Sequence, residues 1–208
     1  MADLLDLQNS IADYLQRTDL TSQIQTAINR AIAAYSTEDF WFTQTTGTFN
    51  TVAGQESYTS TDGVPSNIRE ITYMRMTVGT SFYRMKQRQI QFIEDRNPNN
   101  NVGRPSDFCY YGQSIYFNPI PSGVFAMTMW YRKNYVALSS STDTNDFTTT
   151  TEALNLIEAK ALWWLNKYII RDPQGAADNL EMEASALAIL RNISNDLTSS
   201  NEIFPSDF

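Results

Sequence analysis

The chain has 208 residues, of which 42% are hydrophobic, and a formal net charge of −8 at pH 7. This length supports one substantial hydrophobic core, or one core with an appended lobe. The single cysteine, Cys109, excludes an internal disulfide, and we interpret it as a small buried strand residue. The absence of histidine removes the commonest metal ligand and the commonest general base.

Two further classes of protein are disfavoured by the sequence. The first ten residues are acidic rather than basic, which does not fit a secretory signal. No apolar run approaches the roughly 18 residues that a membrane span needs. We therefore expect a soluble protein with no membrane span.

The chain begins with two predicted amphipathic helices, within residues 1–38. Thr18 and Asp19 predict the turn between them and an N-cap for the second helix. The second helix is expected to end near Thr37, before an aromatic cluster at residues 40–42. The apolar residues at helical spacing are Leu4, Leu5, Ile11 and Leu15 in the first helix, and Leu20, Ile24, Ile28, Ile32 and Tyr35 in the second.

A β-rich lobe is predicted over residues 47–138. Alternation on both sides of Gly54 predicts a β-hairpin, and the pattern from Ile68 to Thr77 predicts another strand. A short polar helix is expected near residues 87–95. The stretch 103–131 predicts a three-stranded antiparallel meander, because Gly, Pro, Asn and Ser separate its aromatic and β-branched runs.

Two long helices are predicted over residues 149–198, after a polar segment (139–151) that we interpret as an exposed loop or arm. Thr149 and Glu152 predict a capping box for the first, and Asp172-Pro173 predicts the start of the second. Residues 199–208 are expected to form a flexible tail. The expected buried positions are Leu154, Ile157, Ala161, Trp164, Leu165 and Tyr168 in the first helix, and Leu180, Ala184, Leu187, Leu190, Ile193 and Leu197 in the second.

This order of elements predicts the fold class. Two N-terminal and two C-terminal helices form a helical bundle, and an antiparallel β-rich lobe is inserted between them. The expected fold is therefore α+β, in a single domain over residues 1–208.

Charge is divided unevenly along the chain. Residues 69–138 carry a net charge of +5, whereas residues 1–68 carry −6 and residues 139–208 carry −7. A basic middle between acidic ends suits head-to-tail association of identical copies. The alternative is that these charges are solvated faces neutralised within one subunit.

The head-to-tail interpretation predicts which charged residues meet between neighbouring copies. We predict that Arg84, Arg88 and Arg96 pair across subunits with acidic residues of a neighbouring copy. Glu181 and Glu183 are the candidate acidic partners.

Motifs for catalysis and cofactor binding are missing from the sequence. No glycine-rich phosphate loop and no cysteine cluster for zinc is present, and a Ser or Cys nucleophile would lack its histidine. The carboxylate pairs Glu152 with Glu158 and Glu181 with Glu183 lack i,i+4 spacing, and acids on helices are usually solvated. We therefore predict no catalytic, metal or cofactor site, and no enzyme.

Several short motifs occur in a recognisable order between the two helix pairs. The motifs are Gly54-Gln55-x-x-Tyr58, Val64-Pro65-x-x-Ile68, Gly103-x-Pro105-x-x-Phe108, Ile115-Tyr116-Phe117-Asn118-Pro119-x-Pro121 and Met129-Trp130-Tyr131. With these motifs the chain resembles the head-to-tail adaptor, or connector, proteins of short-tailed bacteriophages, also called tail accessory factors.

The resemblance implies a structural protein of the virion neck or tail, present in the host cytoplasm before assembly. It implies a ring of twelve copies that joins the portal protein to the tail tube or nozzle protein and extends the DNA channel. Duplex DNA would pass through without sequence-specific binding, and no cofactor is implied. We add the hypothesis that Ile203, Phe204 and Phe208 in the tail dock on the portal.

A second functional class stays open. The aromatic and basic middle of the chain would suit a standalone nucleic-acid-binding or protein-interaction module. Against nucleic-acid binding, aromatic residues at alternating strand positions are more often core, and an acidic protein repels phosphate. A cell-wall hydrolase is the less favoured alternative.

Overall fold

A computed structural model describes residues 2–96 and 99–198, in two compact units. The helical unit comprises the described residues up to Thr43 and from Tyr135 onward, and the β unit comprises Gln44–Asn134. The predicted α+β class is confirmed. The described α-helices are α1 (Leu4–Leu15), α2 (Thr21–Tyr35), α3 (Ile90–Arg96), α4 (Asp146–Thr149), α5 (Thr151–Leu165) and α6 (Pro173–Thr198).

Capping residues fix where two of these helices begin. The Asp3 carboxylate accepts a hydrogen bond from the Asp6 N–H at 2.9 Å, which caps α1. Asp172 accepts from the Gln174 N–H at 3.2 Å, and Pro173 occupies the first position of α6. The predicted start of α6 is therefore confirmed.

Two other predicted caps are wrong. The N-cap of α2 is Leu20, without a side-chain hydrogen bond, because Asp19 is paired with Arg17 at 2.6 Å. The N-cap of α5, Thr150, also makes no side-chain hydrogen bond. The capping box instead belongs to the short helix α4, where Asn145 accepts from the Thr148 N–H at 3.2 Å.

The segment before α5 was predicted to be an exposed loop or arm. Residues 139–142 are exposed, but a later part of the segment packs against other parts of the helical unit. Phe147 is fully buried, and its ring packs edge-on against Phe42 at a centroid distance of 5.1 Å. The backbone carbonyls of Ser141 and Asp143 accept hydrogen bonds from the first N–H groups of α1, at 3.0 Å each. These carbonyls satisfy donors that a helix N-terminus otherwise leaves free.

The packed face of α5 was predicted well, and that of α6 was not. Ile157, Ala161 and Leu165 are buried in α5, although Tyr168 lies 52% exposed on a π-helical extension, Asn166–Ile170. On α6 the predicted residue Leu180 is 50% exposed. Leu190 is buried as predicted, but the other buried positions in the described part of α6 are small or polar: Ala176, Asn179, Glu183 and Ser194.

The described residues of the β unit form ten strands in three sheets. The first sheet has the order β1-β10-β3-β4 and is entirely antiparallel. The second has the order β2-β8-β7-β5, with β5 parallel to β7, and β6 pairs in parallel with β9. The strands are β1 (Gln44–Asn50), β2 (Ser57–Tyr58), β3 (Ile68–Val78), β4 (Ser81–Arg84), β5 (Lys86–Gln87), β6 (Val102–Gly103), β7 (Asp107–Tyr111), β8 (Ser114–Asn118), β9 (Ile120–Pro121) and β10 (Ala126–Lys133).

Two predicted strand pairings are wrong. The hairpin expected around Gly54 does not form, because β1 pairs with β10 and β2 pairs with β8. In the expected meander only β7 and β8 are neighbours, and β10 lies in the first sheet between β1 and β3. The predicted short helix is present as α3, beginning at Ile90 rather than near 87.

The β unit has a hydrophobic core of its own. Buried side chains from the first two sheets form one cluster, and alternate residues of β3 and β10 contribute methionines to it. Cys109 is buried in β7, as predicted. Its aromatic and methionine members are Phe49, Tyr58, Met74, Met76, Met85, Phe108, Phe117, Met127, Met129 and Tyr131.

Candidate interaction surfaces

The basic residues of the β unit stack on aromatic rings. The Arg84 guanidinium lies 5.6 Å from the Tyr73 ring centre. Arg88 and Arg96 both lie against Phe92, at 4.7 and 5.3 Å. Stacking of this kind holds a guanidinium over an apolar surface while its N–H groups stay available to a partner.

Two shallow cavities lie along these residues. One, of about 420 Å³, is lined by residues that include Arg84 and Lys86. The other, of about 430 Å³, shares Lys86 and also includes Arg88 and Arg96. We call the surface formed by these four cations the basic groove. Its sequence signal was the cluster of Arg and Lys residues after Thr80.

The partners of the predicted arginines differ within the described residues. The Arg88 Nε donates to Asp107 at 2.9 Å. Burial raises the pKa of Asp107, but hydrogen bonds from Ser106 and Arg88 outweigh it, so the pKa stays below its ordinary value. Arg84 and Arg96 form no ion pair with a carboxylate in the described part of the chain. These two arginines are therefore open to an acidic group from another molecule.

A fifth basic residue, Arg75, lies opposite Arg84 in the neighbouring strand and was not singled out from the sequence. Arg75 lies on the outer face of the first sheet, between the Phe82 ring at 4.2 Å and the Trp130 ring at 5.1 Å. Side chains alternate along β3, so that Tyr73 and Arg75 lie on one face and Met74 and Met76 on the other. This alternation is the sequence signal for the outward-facing position of Arg75.

The two predicted acidic partners have different environments. Glu181 is exposed on α6. Glu183 is 8% exposed, and its Oε1 accepts hydrogen bonds from the Tyr35 hydroxyl and, at 2.9 Å, from Lys160 Nζ. Burial, together with the Glu183 carboxylate, raises the pKa of the Tyr35 hydroxyl well above its ordinary value. Glu183 is therefore engaged inside the helical unit, whereas Glu181 faces solvent.

The carboxylate pairs considered for catalysis do not form a site. Glu152 is exposed and Glu158 half-buried on α5, and Glu181 and Glu183 differ as described above. Across residues 2–96 and 99–198 no three His, Cys, Asp or Glu side chains are grouped so that they could hold a metal ion. No described helix is both long enough and apolar enough to cross a membrane.

Comparison with known families decides the assignment. The family model described as SU10 adaptor protein matches residues 2–203. The chain belongs to the SU10 adaptor protein family. The resemblance to phage head-to-tail adaptors is thereby confirmed. No curated protein matches the chain.

Membership makes the chain a structural adaptor protein of a bacteriophage. The family is one of structural phage adaptors, and it implies a place in the neck or tail of the virion. It also implies self-association and contact with other virion components. The adaptor's tail residues Ile203, Phe204 and Phe208 lie outside the described residues.

Proposed function

We propose that this adaptor forms a ring of twelve copies that joins the portal protein to the tail tube or nozzle and extends the DNA channel. The observation that carries the proposal is the family match over nearly the whole chain. The protein acts through surfaces shared with other proteins and has no enzymatic activity. It is present in the host cytoplasm before assembly and in the neck of the finished virion.

The distribution of charge between the two units supports association of copies. Segment 44–134 carries nine basic and six acidic side chains, a net charge of +3. The rest of the sequence carries six basic and seventeen acidic side chains, a net charge of −11. Opposite charges on one polypeptide favour contacts between the basic unit of one copy and the acidic unit of the next.

The net negative charge also suits a conduit for DNA. Duplex DNA carries a high density of negative charge, and basic surfaces bind it without regard to sequence. A ring with an acidic lining repels the duplex, so that DNA slides through rather than adhering.

Two of the five residues predicted for the contact between copies already have partners within their own copy. Arg88 is paired with Asp107, and Glu183 is buried with Tyr35 and Lys160. Arg84 and Arg96 lie exposed in the basic groove, and Glu181 lies exposed on α6. We therefore propose that Arg84 and Arg96 of one copy approach Glu181 of its neighbour.

Electron microscopy of the adaptor mixed with the portal protein of the same phage tests the proposed function. We expect an added ring below the portal with the wild-type chain, and loss of that ring with Arg84→Glu/Arg96→Glu. Introducing Glu181→Arg into the double variant should restore part of the ring, because it re-creates opposite charges.

A matched control separates this contact from net charge. Lys167→Glu/Arg171→Glu changes the net charge by the same amount at exposed positions of the helical unit, and Lys167 also stacks on an aromatic ring, Trp163. It should form rings normally. If the wild type adds no ring to the portal, the proposed function is wrong. If the double variant assembles like the wild type, only the proposed arginine contact is wrong.

We propose a second contact, between the adaptor's C-terminal tail and the portal protein. Ile203, Phe204 and Phe208 would bury apolar surface on the portal, at about 1.5–3 kcal/mol for each side chain. Ordering ten residues of backbone costs roughly 1–2 kcal/mol per residue. One tail is therefore insufficient by itself, and a ring supplies many tails that act together.

The basic groove favours one alternative, a module that binds nucleic acid. Four cations and a set of stacked rings are the features that bind phosphates and unpaired bases. Such a module would hold DNA with an affinity that falls steeply with salt, whereas the adaptor would not.

A further inference from the structure

The first sheet of the β unit ends in an unusual edge strand. β1 lies at one end of the order β1-β10-β3-β4, and its seven residues pair with β10 without a register shift. The strand, Gln44–Asn50, contains neither a charged residue nor a proline. Proteins commonly protect edge strands with charges, prolines, bulges or short length. Unlike most edge strands, β1 has none of these protections.

The backbone groups on the outer side of β1 are available for pairing. In an antiparallel pair, alternate residues turn their N–H and C=O groups away from the neighbouring strand. Within the described part of the chain, no backbone group of β1 hydrogen-bonds outside its ladder with β10. An extended strand from another molecule would satisfy these groups.

The opposite edge of the same sheet offers a complementary strand. Among the described strands β4 (Ser81–Arg84) pairs only with β3, and all four of its residues are exposed. Because every pair in this sheet is antiparallel, β1 and β4 run in opposite directions. In a ring all copies point the same way along the axis, so β4 of one copy would meet β1 of the next in antiparallel orientation.

We propose that β4 of each adaptor pairs with β1 of the neighbouring copy, so that the first sheet continues from subunit to subunit around the ring. This inference rests on the proposed ring and names the backbone contact that closes it. The partner strand comes from a second copy, because both unpaired edges belong to the same sheet. They run in opposite directions, so that they can pair antiparallel between neighbouring copies. Every copy then uses both edges, and no edge of this sheet stays exposed, as in a closed barrel.

Disulfide cross-linking of the full chain, assembled on the portal protein, tests the pairing. Residues opposite each other in a sheet lie on the same face, so outward residues of β1 should meet Phe82, which is outward and 61% exposed on β4. Phe82→Cys is combined in turn with Gln44→Cys, Thr46→Cys, Thr48→Cys or Asn50→Cys. One or two of these registers should give covalent oligomers on a non-reducing gel.

A disulfide between these strands can only join two copies. Within one chain β1 and β4 are separated by two strands, roughly 14 Å at about 4.8 Å per strand. Disulfides need Cα atoms less than about 7 Å apart. The native Cys109 does not interfere, because it is buried and burial raises the pKa of its thiol.

Two controls make the result specific. Tyr83 belongs to the other face of β4. Using Tyr83→Cys in place of Phe82→Cys should therefore abolish cross-linking. Each single-cysteine variant should stay uncross-linked. A covalent dimer from Thr46→Cys alone would overturn the proposal, because it would show two copies of β1 pairing with each other.

Proline substitution gives an independent test. Thr45 and Thr46 are adjacent, so one of them directs its N–H toward β10 and the other away from it. We expect one of the variants Thr45→Pro and Thr46→Pro to fold like the wild type and to lose at least tenfold in ring yield. Normal ring yield from the folded proline variant, or rings without cross-links in any register, would overturn the strand pairing alone. Failure of the wild type to form rings would overturn both the pairing and the proposed function.

Discussion

At the scale of single residues, Glu181 and Glu183 show how two neighbouring acids of α6 differ. Two positions along a helix are separated by about 200° of rotation, so the two side chains leave opposite faces. Glu181 reaches solvent, whereas Glu183 is bonded to Tyr35 and Lys160. The first is therefore available for assembly, and the second stabilises the helical unit.

Alanine substitution should separate these two roles. We expect Glu183→Ala to lower the free energy of unfolding by about 3 kcal/mol, because it leaves Lys160 and the Tyr35 hydroxyl without their partner. This value is at the low end for a broken buried pair, since the Lys160 side chain remains 24% exposed. Thermal or urea denaturation followed by circular dichroism measures the effect.

Glu181→Ala is the matched control for that measurement. An exposed acid without an ion pair should change stability by less than about 0.5 kcal/mol. Equal losses of stability in the two variants would contradict the different roles that we assign to them.

The sequence predicts apolar burial better than polar burial. Cys109 in β7 and Ile157 and Leu165 in α5 are buried as expected, because apolar side chains gain free energy by leaving water. Asn179 and Glu183 were not expected in the core. Glu183 is buried because Tyr35, 148 residues earlier in the sequence, donates to its carboxylate, and no local pattern reveals such a distant partner. Asn179 donates to the Gly175 carbonyl one helical turn earlier, at 2.7 Å.

At the scale of elements, strands were recognised more reliably than their partners. β3 was predicted nearly to its ends from its alternation, but β1 was assigned to a local hairpin. Its true partner, β10, lies about eighty residues later. Local patterns determine whether a segment is extended, whereas long-range packing determines which strand lies beside it.

The turn between β7 and β8 lies within the predicted meander. One of its two central residues, Gln113, is not glycine although its φ is positive. Gly112 and Gln113 both have positive φ, 58° and 63°, as a two-residue hairpin turn requires. Glycine adopts this conformation without strain, but glutamine has a Cβ that makes it unfavourable. Gln113→Gly should therefore raise the stability of the β unit by up to about 1 kcal/mol. A higher denaturation midpoint would show this.

The reverse change at the neighbouring position is the control. A Cβ at Gly112 meets no atom within 4 Å, so Gly112→Ala should lower stability through backbone strain alone. If neither variant changes the midpoint, the turn conformation does not limit stability.

At the scale of the whole molecule, the β unit is an insertion whose ends meet. Gln44, its first residue, pairs directly with Arg132, close to its last residue, in neighbouring strands of the first sheet. The unit has its own buried cluster, which contains five methionines: Met74, Met76, Met85, Met127 and Met129. A segment with adjacent ends and a separate core has the features of a unit that folds alone.

We expect segment 44–134, expressed by itself, to fold cooperatively. Its 91 residues exceed the size at which domains commonly need disulfides or metals for stability, and the pairing of β1 with β10 holds its two ends together. Dispersed amide signals in NMR and a single thermal transition would show this. Met129→Ala in the isolated segment should lower its stability by about 2–5 kcal/mol, since Met129 is fully buried. A segment without a cooperative transition, or one indifferent to Met129→Ala, would mean that this core forms only in the full chain.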